Sequence, residues 1–275
     1  MVRAASYAII LIIAFGQVLI SVIAFVPFTS DGLVTYASLS TRKNGWFDNL
    51  FPQLNDAEAE KARREKFPEQ YPATYEMSNF KVPTDGSDAA LLRPLLKQTQ
   101  LEERPLELVY DASKHGWTPQ SFHSRVDGKG CALVVATGKT NEGYITVGGY
   151  NPKGWSSLGG ARPSVAAFLF YSYGNEPYQK LQKVGGGGLA CARDDPDYGI
   201  SFGPDALVIG LQPGRERLSA SKLGPYYEKG PEERSSLFGE AGGAIQLDSL
   251  KVFVGKYEPG EEIPYSGAVM NMTSG

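Results

Sequence analysis

Hydrophobic and polar positions divide this chain into regions of different character. Tyr7 to Phe28 is apolar except at Gly16, Gln17 and Ser21, and polarity returns abruptly at Thr29-Ser30-Asp31. Asn55 offers a cap for a helix over Asp56–Lys66, whose apolar side is thin (Ala57, Ala59, Ala62), so this helix is expected on a solvent-exposed arm. From Asp88 the pattern strengthens. Asp88–Gln98 reads as a short helix despite Pro94, and Leu106–Tyr110 as a strand. Thr118 followed by Pro119 is a favoured helix start, and Phe122 and Val126 give that helix one apolar face. Strands are then expected at Cys131–Ala136, Tyr144–Gly148, Val165–Phe170, Leu181–Val184, Leu189–Arg193, Ala206–Ile209 and Leu250–Val254. The first two make a β-hairpin around Gly138–Gly143. The predicted class is α+β, mainly β: a two-sheet antiparallel β-sandwich flanked by helices.

The N-terminal region bears on location. One basic residue, Arg3, precedes the apolar run, as in a secretory signal peptide with cleavage between Ala24 and Phe25. Residues 25–45 are hydroxyl-rich and basic, with Asp31 their one acid, as in a transit peptide. The junction Ala24-Phe25-Val26-Pro27 resembles that of the bipartite presequence of algae with plastids of secondary origin. Two other readings stay open. One is plain secretion. The other is a retained anchor, because the run is long enough to span a membrane. The division is therefore 1–24 signal peptide, 25–45 transit peptide, 46–87 helical or irregular extension, 88–256 main domain and 257–275 loose C-terminal tail.

Composition narrows the partners. Hydrophobic residues make up 42% and charged residues 21% of the chain, an ordinary globular balance. A formal net charge of −3 and the lack of a long basic run argue against nucleic acid, which needs a concentrated cationic surface. Two cysteines, Cys131 and Cys191, are too few for a disulfide scaffold. With 32 glycines the chain has material for many turns between strands.

The ordered run resembles the TLDc domain family. Leu108 to Gly116 is similar to the family's opening strand and Ser-x-His-Gly step, carried by Tyr110, Ser113, His115 and Gly116. Gly130–Val135 matches the next strand. Gly148-Gly149-Tyr150 with Trp155 matches a Gly-aromatic strand and downstream Trp, and Phe168-Leu169-Phe170 a Phe-Leu-Phe strand. The glycine run, including Gly187 and Gly188, and Leu250–Phe253 follow in order. The resemblance covers about residues 88–256. It implies a β-sandwich and a role in protection against oxidative stress. Some members of the family bind a proton-pumping rotary ATPase. Where the family often has Gly-Glu-Ser before Phe-Leu-Phe, this chain has Val165-Ala166-Ala167, so an acid sometimes proposed as functional is missing.

Candidate chemistry is sparse. His115 sits in a turn, where it caps or bridges; the competing role is a general base. His123 is expected on the surface. Gly138-Lys139-Thr140 lacks the earlier glycine and following helix of a phosphate loop. Asp194-Asp195-Pro196-Asp197 lacks the alternating ligands of a calcium loop and reads as a solvated turn. Asn271-Met272-Thr273 is a glycosylation sequon in the tail. Cys131 and Cys191 are the redox candidates, each opening a strand, where a buried thiol would be inert. No metal, cofactor or catalytic residue is assigned. The expected activity is binding of an unknown protein partner. A thiol- or His-dependent redox or hydrolytic enzyme is the alternative, and a membrane-anchored accessory protein the third reading.

Overall fold

The computed structural model describes residues 57–81, 87–160, 162–185, 193–230, 233–239 and 243–266. All of them belong to one compact unit, Pro52–Gly275. The presequence with Ala24 and Phe25, the glycines Gly187 and Gly188, Cys191, most of the Leu189–Arg193 strand and the Asn271 sequon lie outside the described residues.

Helix α1 (Ala57–Lys66) buries no side chain, as its thin apolar side predicts. Helix α2 (Ser87–Leu92) stops early and continues as a 3-10 turn over Arg93–Leu96. Pro94 is the cause, because proline has no N–H to donate and its ring obstructs the preceding helical turn. Strand β1 (Leu106–Asp111) leads through the one-turn helix α3 (Ala112–His115) to α4 (Pro119–Val126). Thr118 caps α4 by accepting the Ser121 N–H at 3.2 Å.

Strands β2 (Ala132–Thr140) and β3 (Gly143–Asn151) form the expected hairpin, but they pair up to a two-residue turn at Asn141-Glu142. Gly138 therefore lies inside β2. A Cβ there would come within 2.8 Å of the Gln246 carbonyl oxygen, so glycine lets the neighbouring strand approach. Strand β4 (Phe168–Tyr173) starts three residues later than its apolar run suggested. The Ser164 hydroxyl accepts the Ala166 N–H at 3.2 Å and bends the chain before pairing begins. The remaining strands are β5 (Gln179–Gln182), β6 (Ile200–Phe202), β7 (Leu207–Ile209), β8 (Leu218–Ser221) and β9 (Ile245–Gly255).

Among the described residues every strand pairing is antiparallel, and the mainly β expectation with a few flanking helices holds. A second sheet is not set apart from the first by a break in pairing among the described residues. The strands follow one hydrogen-bonded path, β5-β4-β3-β2-β9-β8-β7-β6, with β1 also on β9. The reason is the length of β9. Along one edge it pairs first with β8, at Ile245 and Gln246, and then with β1, at Lys251–Gly255. The β6–β8 ribbon turns back over the main sheet, so that the Phe202 ring packs on Gly149 of β3.

Alternation along the strands produces two buried layers. Ala132, Val134, Val147, Leu169 and Val252 join Ile200, Phe202, Leu207, Phe122 and Trp155 beneath the ribbon and α4. Cys131, Leu133, Tyr150, Phe168, Phe170 and Phe253 face the other way, against Leu92, Leu95, Leu96 and Leu101. Burying a leucine or phenylalanine side chain contributes about 1.5–3 kcal/mol, so both layers matter to stability. Ala73 and Met77, from the segment after α1, also pack on the second layer.

Candidate functional site

A polar cluster lies where α4, the loop after β3 and the loop before β6 meet. His123 is only 6% exposed, not a surface residue, because Phe122 beside it must enter the core and turns the whole face inward. Its ring packs edge-on against Phe122 at 4.8 Å. His123 Nδ1 donates to Asp127 Oδ1 at 2.8 Å, one helical turn on, and lies 3.2 Å from Ser157 Oγ. Nε2 donates to the Tyr198 carbonyl at 3.1 Å. Ser157 Oγ in turn donates to Asp127 Oδ2.

Two ring nitrogens donating at once describe an imidazolium. Burial disfavours that cation. The Asp127 hydrogen bond and charge, the Tyr198 carbonyl and the Asp194 charge outweigh it, and the His123 pKa is raised above 6.5.

Asp194 corrects a second expectation. It is fully buried rather than in a solvated turn. Its Oδ1 accepts the Ser156 and Ser157 N–H groups at 2.8 and 2.9 Å, and Oδ2 accepts that of Leu158 at 3.1 Å. The carboxylate thus organises the turn that carries Ser157, which adopts φ 54°, an uncommon value for a residue with a side chain. Arg162 donates to Ser156 Oγ at 2.8 Å and to the Tyr265 carbonyl at 2.9 Å. Tyr265 Oη donates to Glu69 Oε1 at 3.0 Å. Hydrogen bonds therefore link α4, two loops, the C-terminal segment and Glu69, which is buried.

Ser157, His123 and Asp127 have the residue types of a hydrolytic triad but not its wiring. In such a triad one imidazole nitrogen takes the serine proton and the other faces the acid. Here the serine proton points to the acid, and the imidazole nitrogen opposite the acid is held by a carbonyl. Neither nitrogen offers a lone pair to a nucleophile. The arrangement binds three segments together.

The residues of the family motif are mostly structural. Asp111 N–H donates to His115 Nδ1 at 3.0 Å. Ser113 donates to Asp111 Oδ1 through its N–H at 3.0 Å and its hydroxyl at 2.6 Å. Tyr110 Oη donates to the Gly116 carbonyl at 2.7 Å, and Gly116 takes φ 90° to close the turn. His115 thus bridges the turn. Trp155 is fully buried, donates through Nε1 to the Arg193 carbonyl at 2.8 Å and meets Phe122 edge-on at 5.2 Å. A Cβ on Gly148 would lie 2.0 Å from the Val134 carbonyl oxygen and 2.4 Å from the Phe170 ring. Phe168 stacks on Tyr150 at 5.4 Å.

Cys131 is fully buried on the second layer. Burial pushes its thiol up to about 12, against the opposing hydrogen bonds of Tyr150 and Tyr257 and the Arg104 charge. A thiol so placed is not a thiolate at neutral pH.

Among the described residues no group of His, Cys, Asp and Glu is arranged to hold a metal ion, and no helix is long and apolar enough to cross a membrane. Two open depressions, of about 330 and 250 Å³, lie beside Arg104 and beside Arg215. Neither is lined by His123, Asp127, Ser157 or Asp194.

No local pattern in the sequence joins His123, Asp127, Ser157, Arg162 and Asp194 as a group. The one local signal was the four-residue spacing of His123 and Asp127, which puts them on one helix face. Ser157 and Asp194 are distant in sequence and meet only through tertiary contacts.

No curated protein matches the chain. The family model of the TLDc domain matches residues 82–229, more than half of the 275 residues. The matched range stops short of β9, the strand on which β1, β2 and β8 all pair, so the fold extends beyond it. On this match, the chain belongs to the TLDc domain family.

Proposed function

We propose that this TLDc protein works without catalysis, by binding a protein partner in a pathway that limits oxidative damage. The observation that carries the reading is the state of His123. The one histidine in a buried cluster with serine and acid has both nitrogens engaged as donors within the protein. A group so engaged supports loop positioning, and positioned loops support recognition. The Cys131 environment agrees, since burial keeps that thiol protonated. The role in oxidative stress rests on family membership.

The test is a comparison of two properties. Purified protein should turn over neither hydrogen peroxide nor simple esters. Cells lacking the protein should become peroxide-sensitive, and a His123→Gln protein that still folds should restore resistance. Turnover by the wild type that His123→Gln abolishes would sink the proposal.

We also propose that the protein acts in a plastid, entered through residues 1–45. Support comes from the charge and hydroxyl pattern and the Ala24-Phe25 junction. Mass spectrometry of fractionated cells should find a mature N-terminus near residue 45 in plastids. A start at Phe25 outside the cell, or an intact Met1 in carbonate-resistant membranes, would replace this reading with secretion or anchoring.

A further inference from the structure

Lys180 on β5 is a lysine buried to 5% exposure that makes no ion pair among the described residues. Its ammonium lies 4.9 Å from the centre of the Phe168 ring. Its two hydrogen bonds go to the backbone carbonyls of Thr74 and Glu76, at 3.1 and 3.2 Å. Both acceptors belong to residues 71–80, a stretch with neither helix nor strand.

That stretch is held chiefly by polar contacts. Ser78 N–H donates to the Pro94 carbonyl at 2.7 Å, and Ser78 Oγ to Glu102 Oε1 at 2.7 Å. Lys97 pairs with Glu76 at 3.3 Å. Tyr75 Oη donates to Glu228, which also accepts the Gln182 N–H at 2.9 Å. Apolar anchoring is slight. Ala73 and Met77 are only partly buried, and Tyr75 and Phe80 are 54% and 39% exposed.

We propose that residues 71–80 form a strap, latched by Lys180 across the β4–β5 side of the second layer, and that the strap opens as a unit without unfolding the sheet. Opening strips Lys180 of both acceptors and returns its ammonium to water.

This geometry makes opening depend on pH. Burial lowers the Lys180 pKa to about 8, against the attraction of Glu102 and together with the repulsion of Lys97. The other charged groups around the strap are Glu76, paired to Lys97, and Glu228, bonded to Tyr75. In water the same amine has its ordinary value of 10.5. The open state therefore binds the proton more tightly. Opening is most favoured below pH 8 and becomes harder as pH rises towards 10.5, by roughly tenfold between pH 7 and 9.

Hydrogen exchange of the full chain, read by mass spectrometry and corrected for the intrinsic rate at each pH, tests this. Amides of residues 71–80 should exchange far faster than those of β2, with an opening insensitive to low denaturant. Their protection should rise about tenfold from pH 7 to 9 in the wild type and stay flat in Lys180→Met. Methionine keeps the bulk of the side chain and removes the charge. The wild-type series stands by itself if that variant fails to fold. Protection equal to that of β2 would overturn the strap. A flat wild-type profile, or an unchanged slope in Lys180→Met, would overturn the latch.

Discussion

At the scale of single residues, the polar side chains act as fasteners. His123 illustrates the cost and its remedy. A buried cation is unfavourable alone, yet here an acid one turn away and a carbonyl from a distant loop surround it. The raised pKa fixes the direction of a prediction. A group that holds its proton more tightly when folded contributes stability that is complete below its unfolded value of 6.5 and is lost as pH rises through the folded value. Melting curves from pH 5.5 to 8.5 should show wild type losing stability relative to His123→Gln with rising pH. A lost contribution of about 1 kcal/mol would appear as roughly 2–4 °C. Parallel curves would mean that His123 is uncharged in the fold. Neither the burial of His123 nor that of Asp194 was legible beforehand. A histidine on a short helix and an acid-rich run have surface-like local patterns, and only partners dozens of residues away remove them from water.

Elements show which local signals survive assembly. Thr118-Pro119 started α4 as expected, because a cap acts within one turn. The β2–β3 hairpin formed for the same reason, with its strands pairing to the tip. Strands β6 and β8, of three and four residues, were not legible, since so short a run cannot establish an alternation. Glycines in β3 record close approach rather than flexibility. At Gly148 the space is filled by the Val134 carbonyl, which is backbone and cannot swing aside, and by Phe170. Gly148→Ala should cost at least about 3 kcal/mol, near the upper end for overpacking. Urea unfolding measures it, and a loss under about 1 kcal/mol would show that the sheet can open there.

Across the whole molecule, the chain after β9 closes over the second layer. Arg104 donates to both carboxylate oxygens of Glu261, at 3.1 and 2.6 Å, and its guanidinium stacks 4.2 Å over the Tyr257 ring. Tyr257 reaches the Cys131 thiol, and Tyr265 reaches Glu69. The segment expected as a tail from residue 257 therefore makes specific contacts as far as Ser266. It should guard Cys131. In a Cys191→Ser background, alkylation of Cys131 at pH 8 should need global unfolding in the intact chain. Removing residues 257–275 should speed it at least about tenfold, because losing the cover over the thiol outweighs losing the Tyr257 hydrogen bond that lowers its pKa. An unchanged rate would place the barrier in the sheet and the Leu92–Leu101 cover instead.

The sequence alone determined what short-range chemistry controls: one helix start, the central hairpin, and the ordered motifs of the TLDc family. Those depend on neighbours within a few residues, where cap geometry and side-chain period act directly. Tertiary structure decided which strands meet and which polar groups are buried. That β9 lies between β2 and β8, that the ribbon stays hydrogen-bonded to the main sheet through β9, and that His123, Asp127, Ser157 and Asp194 share one cluster all depend on contacts between distant segments. Such contacts form only when burial of apolar surface offsets the entropy of closing long loops, and no local pattern encodes that balance.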